Sequence, residues 1–248
     1  MTIDLPLEAA SSRGWTPVPF SHPAFLTLTD AGDMREPDRR DEALRSIGLE
    51  PGAVRRVRQV HSRRVVTVDD IDATAPALLE ADGIVSPPGG PFLAVSVADC
   101  VPIYVADLAT GAYALLHSGW RGTGVLESAV NLLQAEFGSR AADLAVLLGP
   151  CISSRAYEVD EARAREYSVW GPDAVVHRDG NAYLDMHAAN RAIARRLGIR
   201  LVSAVNHCTY ATPHLGSYRR EGSGSYTSML ALLGAGVRTS RSGKVEEV

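Results

Sequence analysis

"YALLHSGWRGTGVLESAV", residues 113–130, holds the change of period that decides the fold class. Tyr113 to Leu116 form an apolar, β-prone run that stops at His117. Ser118, Gly119, Trp120, Arg121, Gly122 and Thr123 follow without any periodicity. After them Val125, Leu126, Ala129, Val130, Leu132 and Leu133 recur with the spacing of one helix face, which Gly138 closes. The stretch therefore predicts a strand, a turn that carries a histidine at its start, and an amphipathic helix.

Working outward, "PFLAVSVADCVPIYVAD" (91–107) supplies two more β-rich runs, broken at Asp99 and Cys100. "AVRRVRQVHSRRVVTVDD" (53–70) has short β-branched pieces between arginines, as an edge strand or hairpin would. "DLAVLLGPCI" and "RLVSAVNHCTY" read as strands. "RRDEALRSIGLEPG", "DEARAREYSVWG" and "LDMHAANRAIARRLGI" read as helices, the first ended by Gly48 and Pro51 and the last by Gly198. Strands and helices mix without a regular βαβ period, which predicts an α+β fold of mixed β-sheets with flanking helices. One compact domain is expected over residues 1–237, followed by a polar, mobile tail over 238–248.

Composition narrows the partners. The chain has 248 residues, 46% of them hydrophobic, so it can bury a substantial core. A formal charge of -4 argues against a broad nucleic-acid surface and leaves a small molecule as the expected ligand. No run approaches the roughly 18 apolar residues of a membrane span, and the first residues lack a signal-peptide pattern, so a cytoplasmic protein is expected. Lys244 is the only lysine, which excludes P-loop and Schiff-base chemistry. The oligomeric state stays open.

Three soft-metal ligands stand where apolar strands end: His61 in "QVHS", Cys100 in "VADC" and His117. Two imidazoles and a thiolate suit zinc with an open fourth position, and they also suit a single copper. Their spacing carries no ligand signature, so a metal-free Cys100–His117 nucleophilic pair remains an alternative. His207 and Cys208 are adjacent, and on a strand they would face opposite ways. His22, His177, His187 and His214 read as ordinary structural residues. The small residues after His117 precede a helix, whose N-terminus favours an anion, and Arg121 adds a planar cationic fork. Five arginines within residues 55–64 read as a solvated edge that would also favour an anionic substrate near His61.

Taken in order, "QVHS", "ADGIVS", "VADCVPIYVAD", "LLHSGWRGTGVLESAV", "LGPCI" with "YEVD", "LDMHAANRAIARRLGI", "CTY" and "SYRREGSG" resemble the YfiH-like laccase-domain family over roughly residues 32–233. Its members have been labelled polyphenol oxidases and are regarded as zinc-dependent purine nucleoside phosphorylases with adenosine deaminase side activity. Some are called peptidoglycan editing factors. The resemblance implies zinc on His61, Cys100 and His117. It also implies phosphorolysis of adenosine, inosine or methylthioadenosine, with phosphate as co-substrate. In that frame Asp99 and Arg121 are the catalytic candidates, while Arg40, Gln59, Asp82 and Arg219 are candidate substrate contacts. Asp99 and Asp82 are also candidates for orienting a histidine. Two departures are visible. "PFSHPAFLTLTDAGD" keeps only the Gly-Asp end of the family's N-terminal loop, and Ser225 stands where the family has an arginine after "SYRR". A non-catalytic member that binds a cell-wall or protein partner is the remaining alternative. The chain contains no His-x-His pair of the kind that holds a multicopper cluster, so the oxidase label finds no support in it.

Overall fold

The computed structural model describes residues 1–7, 14–72 and 77–235, so the tail expected at 238–248 lies outside the described residues. Its centre is a seven-stranded mixed sheet. The spatial order of the strands is Thr2–Ile3, Leu201–Val205, Leu144–Leu148, Val101–Asp107, Tyr113–Ser118, Gly83–Ser86 and Val65–Thr67. The first three run parallel to one another, the next three pairings are antiparallel, and Val65–Thr67 is again parallel to its neighbour. A five-stranded sheet packs on one face. Its order is Trp15–Pro17, Ala24–Thr27, Met229–Leu233, Leu93–Val97 and Arg55–Arg56. A small sheet of Glu158–Val159, Asn181–Leu184 and Val175–Arg178 completes the α+β architecture.

Alternation along the strands builds the layers. In Val101–Asp107, Val101, Ile103 and Val105 enter the core beneath the helices Val125–Phe137 and Met186–Arg196. Tyr104 points the other way, into the core between the two large sheets, with Tyr113 and Leu115 of the next strand. Being covered on both faces, these strands read as near-continuous apolar runs. The five-stranded sheet repeats the device: Leu93, Val95 and Val97 face the inter-sheet core, while Ala94 faces Ala43 and Leu44 of the helix Pro37–Ser46. The layers are therefore helix, sheet, sheet and a pair of helices. Each fully buried Leu or Val contributes about 1.5–3 kcal/mol to holding them together.

The predicted helix after the 113–118 strand spans Val125–Phe137, and Gly138 ends it in the left-handed conformation at φ 66°. The arginine-rich 53–70 segment forms two separate edges rather than a hairpin. Arg55–Arg56 borders the five-stranded sheet and Val65–Thr67 borders the seven-stranded one. The two runs broken at Asp99 and Cys100 likewise fall in different sheets. Among the described residues, no helix is long and apolar enough to cross a membrane.

Candidate metal centre

Two chain crossings between the large sheets deliver two of the three candidate ligands. The first runs from Arg55–Arg56 to Val65–Thr67 and carries His61. The second runs from Leu93–Val97 to Val101–Asp107 and carries Cys100. His117 comes from the strand paired antiparallel with Val101–Asp107. The register Pro102↔His117 and Val101↔Ser118 brings the end of that strand beside Cys100. Among the described residues, His61, Cys100 and His117 form the one group whose ligand atoms suit a shared metal ion, all lying within 4.8 Å of one another. The Cys100 sulfur is 3.9 Å from His61 Nε2, and the two imidazole centroids are 4.9 Å apart, nearly edge to face.

Asp82 organises both histidines from a fully buried position. One carboxylate oxygen accepts from His61 N at 3.0 Å and lies 2.8 Å from His117 Nδ1; the other accepts from Val60 N, Ser62 N and the Ser62 hydroxyl. Three successive backbone N–H groups wrap one carboxylate, and this stabilises His61 at φ 58°, a conformation that β-carbon sterics disfavour. Burial would raise the Asp82 pKa, but the His117 and Ser62 hydrogen bonds overcome it and hold the carboxyl at about 2. Burial would similarly lower the His117 pKa. The Cys100 thiolate and Asp82 instead lift it to about 9, so without a metal the ring is held as a cation. Burial would push the Cys100 thiol up, and the two histidines bring it down to about 6.

Asp99, at φ 79°, makes the sharp turn that presents Cys100. Its carboxylate accepts from the Thr209 hydroxyl at 2.6 Å and from Arg219 N at 2.7 Å, and its carbonyl accepts from Ile152 N. Both carboxylate oxygens are thus engaged by the protein. Arg219 lays its guanidinium over the Tyr157 ring and donates to the Glu158 carbonyl through both terminal nitrogens.

The remaining sequence candidates make the following contacts. The Gln59 amide is committed to Ser96, donating to its carbonyl and accepting from its N–H, which ties the His61 crossing to the Leu93–Val97 strand. Arg40 donates to the Met34 carbonyl from the Pro37–Ser46 helix. Arg121 is exposed, with its guanidinium over the Trp120 ring and Arg163 over the same ring. His207 and Cys208 lie beyond the strand that ends at Val205, contrary to their expected place on it. His207 accepts from Leu5 N, and the Cys208 backbone pairs with that of Cys151 in an isolated β-bridge, both thiols being free.

The small residues after His117 have a role that helix-end electrostatics did not suggest. A Cβ on Gly119 would lie 2.9 Å from a His61 ring carbon and 3.0 Å from the Cys100 sulfur; one on Gly122 would lie 2.8 Å from the Ser62 carbonyl oxygen. These glycines let the 119–124 turn close over the His61 loop. The helix itself starts only at Val125, and the Val125 and Glu127 N–H groups already donate to Gly122 and Gly124. Gly119 was legible in the sequence as a turn residue but not as a wall of the ligand cradle.

Two imidazoles and a depressed thiol, with His117 Nδ1 engaged by Asp82 and its Nε2 turned toward Cys100, fit a zinc-type ion in donor chemistry. A family model described as multi-copper polyphenol oxidoreductase laccase matches residues 29–233, and the chain belongs to that family. It is 33% identical over 179 residues to a purine nucleoside phosphorylase of Corynebacterium glutamicum, covering 71% of this chain and 72% of that one. It is 31% identical over 190 residues to an adenosine deaminase from an unknown prokaryotic organism, covering 71% and 72%. The crystal structure of YlmD from Geobacillus stearothermophilus superposes with a TM-score of 0.82 at 25% identity, covering 91% of this chain and 97% of that one.

Proposed function

We propose that the protein is a zinc-dependent purine nucleoside enzyme that cleaves adenosine or inosine with phosphate, yielding the free base and ribose 1-phosphate. The observation that carries this reading is the convergence of His61, Cys100 and His117, with ligand atoms within 4.8 Å, under the clamp of Asp82. The relative named purine nucleoside phosphorylase supports the substrate class. His61, Cys100 and His117 would hold the ion, and zinc would supply Lewis acidity toward an oxygen ligand.

The chain's own groups do the positioning. Asp82 keeps His117 in one tautomer and fixes the His61 loop. Asp99 is a positioning residue: it sets the turn at Cys100 and orients Arg219 through the Arg219 N–H. Arg219 and the exposed Arg121 provide the positive charge that draws phosphate to this face. Cleavage of the N-glycosidic bond passes through a cationic ribosyl transition state, which a phosphate held beside the sugar both stabilises and captures. Gln59, whose amide is bonded at both ends to Ser96, and Arg40, which bonds the Met34 carbonyl, are assigned no step in this scheme.

Incubation of purified protein with adenosine, with and without phosphate, tests the proposal. Adenine that forms only with phosphate, from protein carrying near-stoichiometric zinc, is the expected result. Inosine formed in either condition supports the second reading, deamination, which the adenosine deaminase relative favours. Full turnover by metal-free protein, lost on alkylation of Cys100, would show a Cys100–His117 hydrolase instead. Absence of both adenine and inosine overturns the nucleoside reading.

A further inference from the structure

Thr123 lies in the turn that closes over the His61 loop and is fully buried. Its hydroxyl donates to the Gly119 carbonyl at 3.0 Å and lies 2.9 Å from the Tyr167 hydroxyl. A hydroxyl has one proton and a carbonyl can only accept, so the Thr123 proton is committed to Gly119. Tyr167 must then be the donor to Thr123 Oγ1. Burial raises the Tyr167 pKa, which keeps the phenol protonated for that task. The two bonds form a one-way relay from Tyr167 through Thr123 to Gly119, in an interior where successive hydrogen bonds strengthen one another.

The two ends of the relay belong to different parts of the fold. Tyr167 ends the helix Glu161–Tyr167, which Asp160 caps, and its side chain is buried in the main core. Gly119 follows the strand Tyr113–Ser118, whose last residue is in register with Val101. Strand pairing fixes Gly119 from its N-terminal side, and the relay fixes it at its carbonyl. Between these anchors lies the α-carbon, where a Cβ would stand 2.9 Å from the His61 ring and 3.0 Å from the Cys100 sulfur. The Gly119 backbone thus packs against two of the three candidate ligands at once, and any shift of it changes the gap between them. Trp170, three residues after Tyr167, lies against the far end of the same turn: a Cβ on Gly124 would meet its ring at 2.8 Å. One segment of the chain therefore braces the turn at both ends.

We propose that Tyr167 is a positioning residue for the metal centre: acting through the Thr123 hydroxyl, it fixes the Gly119 backbone that holds the His61 ring and the Cys100 sulfur at a spacing one metal ion can bridge. This rests on the metal reading of the three ligands and is independent of the reaction the metal serves.

Zinc affinity, measured by competition with a chromophoric chelator, and the melting temperature of the metal-free protein are read for wild type, Tyr167→Phe, Thr123→Ser, Thr123→Val and the Tyr167→Phe/Thr123→Val double variant. Tyr167→Phe removes only the first donor and should weaken zinc binding about threefold to tenfold, the size of one ordinary hydrogen bond. Thr123→Val keeps the shape without the hydroxyl and should weaken it about tenfold or more, whereas Thr123→Ser keeps the hydroxyl and should bind as wild type does. The double variant should bind zinc as Thr123→Val alone does, since Tyr167 acts through Thr123. Unchanged zinc affinity in Tyr167→Phe overturns the proposal whatever its melting temperature, because hydroxyls that only hold the core would move stability alone. Thr123→Ser as weak as Thr123→Val overturns it too, as does a double variant in which the two losses multiply. Should Thr123→Val not fold, Tyr167→Phe and Thr123→Ser decide between the same outcomes. Wild-type protein that takes up no zinc would refute the metal reading itself, whereas wild-type uptake with equal affinity in the variants refutes the relay alone.

Discussion

The Asp82 carboxylate lies 2.8 Å from Nδ1 of His117, which leaves Nε2 as the nitrogen available on the side of Cys100 and His61. The same carboxylate accepts three consecutive backbone N–H groups of the His61 loop. One buried anion therefore sets the tautomer of one candidate ligand and the backbone of another.

Asp82→Ala should consequently lose metal before it loses the fold. Second-sphere carboxylates of this kind are worth about 10–100-fold in metal affinity. Leaving three N–H groups of one loop unpaired adds a cost of about 2–4 kcal/mol in stability. Zinc content after dialysis and urea unfolding curves read the two effects separately. Retention of wild-type zinc affinity would show that Asp82 serves the loop alone.

Acid should destabilise the protein through the same residue. The folded Asp82 pKa is about 2, below the ordinary carboxyl value of 3.8. A depressed carboxyl contributes stability that is present above the unfolded pKa and is lost as the pH falls through the folded one. The contribution, of the order of 2 kcal/mol, should disappear between about pH 4 and pH 2. Urea midpoints measured across that window in wild type and Asp82→Asn would show it as a slope present only in the wild type.

Much of this arrangement can be read in the sequence, and the unread part has a physical explanation. Period changes locate the 113–118 strand, its following helix and the Met186–Arg196 helix, because one-sided burial writes a pattern into consecutive residues. Periodicity does not say which sheet a strand joins. Leu93–Val97 and Val101–Asp107 look alike and are close in sequence, yet they lie in different layers, separated by the positive-φ turn at Asp99. His61, Cys100 and His117 were recognisable as strand-end ligands and through family resemblance. Their convergence depends on two crossings between sheets, which no local spacing encodes. Gln59 stands among the substrate contacts that the resemblance implies, and only the structure shows that its amide substitutes for a backbone rung against Ser96.

Cys100 should be the fastest-reacting thiol of the metal-free protein. The histidines hold its pKa at about 6, whereas burial raises that of Cys151 well above the ordinary thiol value. The thiolate is the nucleophile, so iodoacetamide at pH 7.5 should label Cys100 first, with a rate that rises through a midpoint near pH 6. Added zinc should protect it, since the sulfur would then be a ligand. Mass spectrometry of the labelled peptides reads site and rate together, and preferential labelling of Cys151 would contradict the electrostatic picture.

Gly119→Ala tests the cradle with one methyl group. The added Cβ would stand 2.9 Å from the His61 ring and 3.0 Å from the Cys100 sulfur, both closer than carbon contacts tolerate. The His61 ring is on an exposed loop and can move away, so the overall fold should survive with a stability change of about 1 kcal/mol or less. Displacing one ligand separates it from the other two, and zinc affinity should fall by more than about tenfold. Ala at position 128, on the Val125–Phe137 helix, is the matched control: Ser128→Ala adds no group near the three ligands and should leave zinc binding intact. Equal zinc affinity in Gly119→Ala and Ser128→Ala would mean that the 119–124 turn does not shape the ligand set.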